Sequence, residues 1–146
     1  MAKLTGMDAA YATRLQALLA EWVSRLDDLR ALALCGSWAR GDARPDSDLD
    51  LLVFTNATGH DQLVTTIPFD RAGFHLEACR WETYGAVRSA HMILRPEAEL
   101  ELSFAKTNWA SIDPIDAGTR RVVSDGFTIL IDKDNTLGAL LAASKL

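Results

Sequence analysis

Cys35-Gly36-Ser37-Trp38-Ala39-Arg40-Gly41-Asp42-Ala43-Arg44-Pro45-Asp46-Ser47-Asp48-Leu49-Asp50 is the stretch from which the rest of the chain is read. The run before it, Ala31 to Cys35, is short and apolar, as a buried strand is. Gly36 ends that run and has no Cβ, so a ligand can come close to the backbone. Ser37 to Arg40 predicts the start of a helix with Ser37 as N-cap. A helix start presents unpaired N–H groups and partial positive charge, which suits an anion such as phosphate. Arg40 and Arg44 can add charge-assisted contacts to such an anion. Arg40 has a second reading, as a partner of Asp42 or Asp46. Gly41 to Ser47 is a loop by composition, with Ser47 as a hydrogen-bonding residue within it. Leu49 to Thr55 predicts a second strand. Its unbroken core, Leu51-Leu52-Val53-Phe54, predicts burial on both faces.

Asp48 and Asp50 stand two apart where that strand opens. Side chains alternate along a strand, so both carboxylates share one face, about 7 Å apart at Cα. Like charges so placed repel and call for a cation. Oxygen donors of this kind suit Mg²⁺ or Mn²⁺. Either element alone is a weak signal, since Gly-Ser ends many strands and Asp-x-Asp marks many solvated turns.

Outward from this stretch, Asp8 to Leu29 predicts an amphipathic helix. Ala12, Leu15, Leu18, Leu19, Trp22, Val23 and Leu26 recur at three and four residues and predict packing on a sheet. His60 to Ile67 predicts a short helix, and Phe74 to Trp81 a strand. Val87 to Leu94 and Glu99 to Phe104 flank Arg95-Pro96-Glu97-Ala98 as a hairpin. Trp109 to Asp116 reads as loop, Phe127 to Ile131 as a strand and Asn135 to Ser144 as a closing helix. The order predicts an α+β fold, with a mixed sheet of about five strands and helices mainly on one face.

A length of 146 residues suits one domain, 1–146, with a real core. The net charge of −5 disfavours long nucleic acid as a partner. Cys35 and Cys79 read as buried small hydrophobes in strands, with a disulfide as the alternative. The start of the chain shows no apolar signal segment, and no run approaches the length of a membrane span. A cytoplasmic location is therefore expected. His60, His75 and His91 lack ligand spacing and read as structural. Trp38 and Trp81 read as packing residues.

The ordered combination Gly36-Ser37, Ala39-Arg40-Gly41 and Ser47-Asp48-Leu49-Asp50-Leu51 resembles the signature of the DNA polymerase β-like nucleotidyltransferase superfamily. The ten residues between Ser37 and Asp48 match its minimal members. The resemblance implies that Gly36 and Ser37, with Arg40 and Ser47, bind a nucleoside triphosphate. It implies that Asp48 and Asp50 bind two divalent ions, Mg²⁺ or Mn²⁺. It also implies a third carboxylate on a later strand, which ligates metal and activates the attacking hydroxyl. Glu99 and Glu101 are the candidates, in the alternating run Glu99-Leu100-Glu101-Leu102-Ser103-Phe104. Glu101 is preferred because it directly precedes the most apolar part of the strand, and Glu99 is second. The family more often has Asp there, and a Glu reaches one methylene further. The alternative for the pair is a solvated sheet face.

The implied activity moves a nucleoside monophosphate, AMP from ATP foremost, to a hydroxyl of a small-molecule or protein acceptor. A haloacid-dehalogenase-like phosphatase also uses Asp-x-Asp. Its aspartate follows an apolar strand, whereas Asp48 precedes one. Another alternative is an antitoxin-like or nucleotide-binding partner of a small helical protein. Only about fifteen residues follow the last predicted strand, so the acceptor site is expected to be completed by a homodimer mate or a helical partner. Trp109, Arg120 and Arg121 are further candidates for lining a nucleotide or acceptor pocket.

Overall fold

Asp8 begins the first helix by accepting from the Tyr11 amide at 2.8 Å. In the computed structural model, which describes residues 7–112 and 114–145, this helix is α1, Ala9–Arg25. Its stripe of Tyr11, Ala12, Leu15, Leu19, Trp22 and Val23 is buried, as the spacing predicts. Its far end is held by Lys133, whose ammonium donates to the carbonyls of Val23 and Leu26 at 2.9 and 3.0 Å. Those carbonyls stand at the helix C-terminus, where a cation is favoured.

Six strands form one mixed sheet: β1 (Leu29–Cys35), β2 (Leu49–Thr55), β3 (His75–Tyr84), β4 (Val87–Arg95), β5 (Ala98–Ala105) and β6 (Phe127–Asp132). Their order is β3-β4-β5-β2-β1-β6. Among the described residues, only β2 and β5 pair in parallel; the other neighbours are antiparallel. Two short helices, α2 (Gly36–Arg40) and α3 (His60–Val64), follow β1 and β2. Helices α4 (Ala117–Ser124) and α5 (Thr136–Ser144) flank β6.

Alternation along the strands divides the sheet into two faces. One face carries Leu32, Leu34, Leu51, Val53, Leu102 and Phe104 and packs under α1 and α3. The other carries Ala31, Ala33, Leu52 and Phe54 and packs against Leu137 and Leu140 of α5. Small alanines on β1 let α5 lie close. The α+β class and mixed sheet stand as predicted. The helices, however, cover both faces rather than mainly one, because β1 and β2 are apolar on both sides.

Three local expectations need correction. Ser37 is not the N-cap of α2. Gly36 already belongs to the first turn, so the cap falls on Cys35, which makes no capping hydrogen bond through its side chain. Residues from Trp109 onward are not simply loop: a 3₁₀ turn spans Thr107–Ala110, and α4 follows. Helix α4 escapes sequence reading because Gly118, Thr119, Val122 and Val123 are poor helix formers. It is held instead by Asp116, which accepts from the amides of Gly118 and Thr119, and by the Thr119 hydroxyl, which donates to the Trp109 carbonyl at 3.0 Å. Cys79 is exposed, not buried, since β3 is an edge strand; both cysteines are free thiols.

Leu100 and Leu102 are buried on the α1 side of β5, so they fix the residue between them, Glu101, on the opposite side. Leu102→Ala should cost about 2–5 kcal/mol by leaving a cavity in this layer. Urea unfolding should show a lower midpoint at an unchanged slope. A midpoint equal to that of the parent protein would mean that this layer does not anchor β5.

Candidate active site

The register of the sheet assembles the site. Asp50 on β2 lies opposite Glu101 on the parallel strand β5 and opposite Cys35 on β1. Asp48 sits one alternation before Asp50, just ahead of β2. One carboxylate oxygen from each of Asp48, Asp50 and Glu101 lies within 4.8 Å of the other two. Glu99 stays outside this group and is exposed.

Gly36 closes the group from above. Its φ is +72°, a region that favours glycine. A Cβ there would stand 2.6 Å from Asp50 Oδ2. Gly36 is therefore needed for the close approach of its own turn to Asp50, a reason not visible from its place at a strand end. Ser37 is the next residue of α2, and its carbonyl accepts from the amides of Gly41 and Asp42 at 3.1 Å.

Burial pushes the Asp50 carboxyl up to about 7, and the charges of Glu101 and Asp48 act in the same direction; Arg40 opposes them. Burial likewise pushes the Cys35 thiol up to about 12, with Asp50 and Glu101 adding to it. Burial and the neighbouring charges of Glu101 and Asp48 thus disfavour ionisation of Asp50. Arg40 does not neutralise them directly. Its Nε donates to Asp42 at 3.2 Å and its Nη1 donates to the Asp125 carbonyl at 2.8 Å. An all-oxygen, acidic donor set with this charge excess fits a hard divalent cation such as Mg²⁺ or Mn²⁺. Ser47 acts within its loop: its hydroxyl accepts from the Arg44 amide at 2.9 Å and holds the turn before Asp48.

A cleft of about 850 Å³ opens from Gly36, Asp50 and Glu101 across the same face of the sheet. Ser89 and Ser103, 2.7 Å apart at their hydroxyls, form part of its floor. Tyr84 of the β3–β4 turn stands on one side, and Trp109 with Thr119 and Arg121 of α4 on the other. Trp109 and Arg121 were legible as pocket candidates; Arg120 does not line the cleft. His91, opposite Glu101 on β4, was read as structural. It lies between two carboxylates, with Nδ1 3.6 Å from Glu101 and Nε2 3.3 Å from Glu82. Only strand register could have shown this, and single-sequence periodicity does not give register.

Because the Asp50 carboxyl is raised, the folded protein holds its proton more tightly than the unfolded chain does. The stability it contributes is full below about pH 4 and is lost as pH rises through about 7. The melting temperature of the metal-free protein should fall by several degrees over that window. Asp50→Asn should flatten the fall, and added Mg²⁺ or Mn²⁺ should reverse it most at the upper end. An unchanged pH slope in Asp50→Asn would contradict this electrostatic reading.

Comparison with known proteins agrees with the geometry. The family model described as nucleotidyltransferase domain matches residues 16–115, more than half of the chain. No curated protein matches the chain. Among solved structures, the GLD-2/RNP-8 complex has a chain 17% identical to this one, with a TM-score of 0.50, over 81% of this chain and 47% of that one. A cytoplasmic RNA terminal U-transferase is 18% identical over 82% of this chain and 40% of its own, with a TM-score of 0.48. Cid1 in complex with its short product ApU is 14% identical over 68% of this chain and 32% of its own, with a TM-score of 0.44. The chain thus spans less than half the length of these structures. At such identities the likeness concerns the fold alone. The matched segment includes the Gly36 turn and all three carboxylates, and the chain belongs to the nucleotidyltransferase domain family, a family of transferases.

Proposed function

We propose that this chain catalyses metal-dependent transfer of a nucleoside monophosphate, AMP from ATP foremost, to a hydroxyl of a small-molecule or protein acceptor. The observation that carries this reading is the convergence of Asp48, Asp50 and Glu101 beside the Gly36 turn, at the end of a cleft large enough for a ligand. Asp48, Asp50 and Glu101 hold the divalent ions, two in this reading. Bound there, such ions would screen the phosphate charge and favour deprotonation of the attacking hydroxyl.

The chain's own residues do the rest. The backbone at Gly36 and Ser37, beside the carboxylates, receives the triphosphate. Glu101 takes the proton from the acceptor hydroxyl. The freed oxygen bonds to the α-phosphorus as the bond to the leaving pyrophosphate breaks. The apolar part of the cleft, with Trp109 and Leu52, excludes water from that exchange. The acceptor side is completed by a second copy or a helical partner, and a cytoplasmic setting supplies ATP and Mg²⁺.

Asp48→Asn, Asp50→Asn and Glu101→Gln should each lower transfer by about a hundredfold or more while the protein stays folded, since each removes part of the charge that stabilises the transition state. Turnover near the parent value in the Asp50 variant would overturn the metal assignment. The acceptor is found by incubating protein, Mg²⁺ and lysate with each of the four nucleoside triphosphates and measuring intact masses. A mass gain of one nucleoside monophosphate on a small molecule or a protein is expected. Gain only on polynucleotide chains would refute the acceptor class.

A further inference from the structure

Arg40 and the turn between α4 and β6 are keyed together next to the nucleotide turn. The Arg40 guanidinium donates to the Asp125 carbonyl at 2.8 Å, and its Nη1 lies 3.2 Å from the Asp125 carboxylate. Its Nε is held by Asp42. Gly126, with φ +124°, lies against both partners of this contact. A Cβ on Gly126 would stand 2.7 Å from Arg40 Cγ and 2.9 Å from the Gly36 carbonyl oxygen. A Cβ on Gly36 would in turn collide with Asp50. Close backbone approaches therefore link Asp50, the Gly36 turn and the Asp125–Gly126 turn, and Asp125 lines the cleft at the end of α4.

We propose that Arg40 is a positioning residue: it clamps the Asp125–Gly126 turn against the Gly36 turn and so sets the spacing between the α4 wall of the cleft and the catalytic carboxylates. This rests on the transfer function proposed above. Two of the five guanidinium donors already have partners, and one of those partners is a backbone carbonyl on the opposite wall, which fixes the direction of the side chain. The planar fork matters because it reaches Asp42 and Asp125 at once; a lysine ammonium is a single point on a flexible stem. The ion pairs are exposed and add little to global stability. Their effect lies in geometry, where a displacement of about 1 Å can cost up to about a hundredfold in rate.

The test is a double-mutant cycle on transfer kinetics, paired with hydrogen exchange on the protein without nucleotide. Arg40→Ala should lower kcat roughly 10- to 100-fold, with KM for the nucleoside triphosphate little changed, and Asp125→Ala, which keeps the carbonyl contact, should lower it less. The double variant should be no slower than the worse single one. Arg40→Lys should not restore the rate. In Arg40→Ala, amides of α4 and of the Gly126 turn should exchange faster than in the parent protein. A raised KM with rescue by lysine would make Arg40 a phosphate ligand and overturn the proposal. Unchanged exchange in α4 and the turn would overturn it as well, whatever the kinetics. If the parent protein shows no transfer but exchange in Arg40→Ala rises as described, the clamp stands and the proposed function fails.

Discussion

Repulsion among carboxylates on neighbouring strands is the constraint around which this molecule is organised. Asp50 and Glu101 are register partners across β2 and β5, the one parallel pair in the sheet. Asp48 joins them from the same face. Burial of Asp50 raises the energy of its charge, and the nearby Glu101 and Asp48 raise it further. A protein keeps such an arrangement only if the rest of the fold outweighs it.

The rest of the fold does so from behind. Alternation puts Leu49, Leu51 and Val53 of β2 and Leu100, Leu102 and Phe104 of β5 on the side opposite the carboxylates, all buried. The same two strands thus present their acids to one side and their anchors to the other. Stability from that apolar layer holds the charged groups together in the absence of any favourable contact between them. On the acidic side, α5 covers the β6, β1 and β2 part of the sheet. The open remainder, over β4 and β5, becomes the cleft. The site lies where one layer of helices stops short, so fold and site have one cause.

Much of this could be read from the sequence. The unbroken apolar run within Leu49 to Thr55 placed a strand with its true bounds. The run from Gly36 to Asp50 pointed to a family that the match over residues 16–115 supports. Helix α1 followed from its stripe of apolar residues. What escaped depends on contacts between distant segments. Helix α4 is made of weak helix formers and is held by Asp116 and Trp109. The closeness of His91 to Glu101 and of Gly126 to Arg40 depends on strand register and on a turn 85 residues away from Arg40. Gly36 was recognised as special, but its contact with Asp50 needs both strand ends in place. Helix coverage of the second face depends on how closely alanines on β1 let α5 approach. Local patterns carry local structure; they do not carry these meetings.

In the proposed function, Asp48, Asp50 and Glu101 form a divalent-metal centre that works in nucleotidyl transfer. Manganese binding, followed by electron paramagnetic resonance in the presence of a non-hydrolysable ATP analogue, tests it most directly. Saturable binding in the parent protein, lost in Asp50→Asn while the variant remains folded, is the predicted result. Equal binding in the two proteins, or none in either, would contradict it.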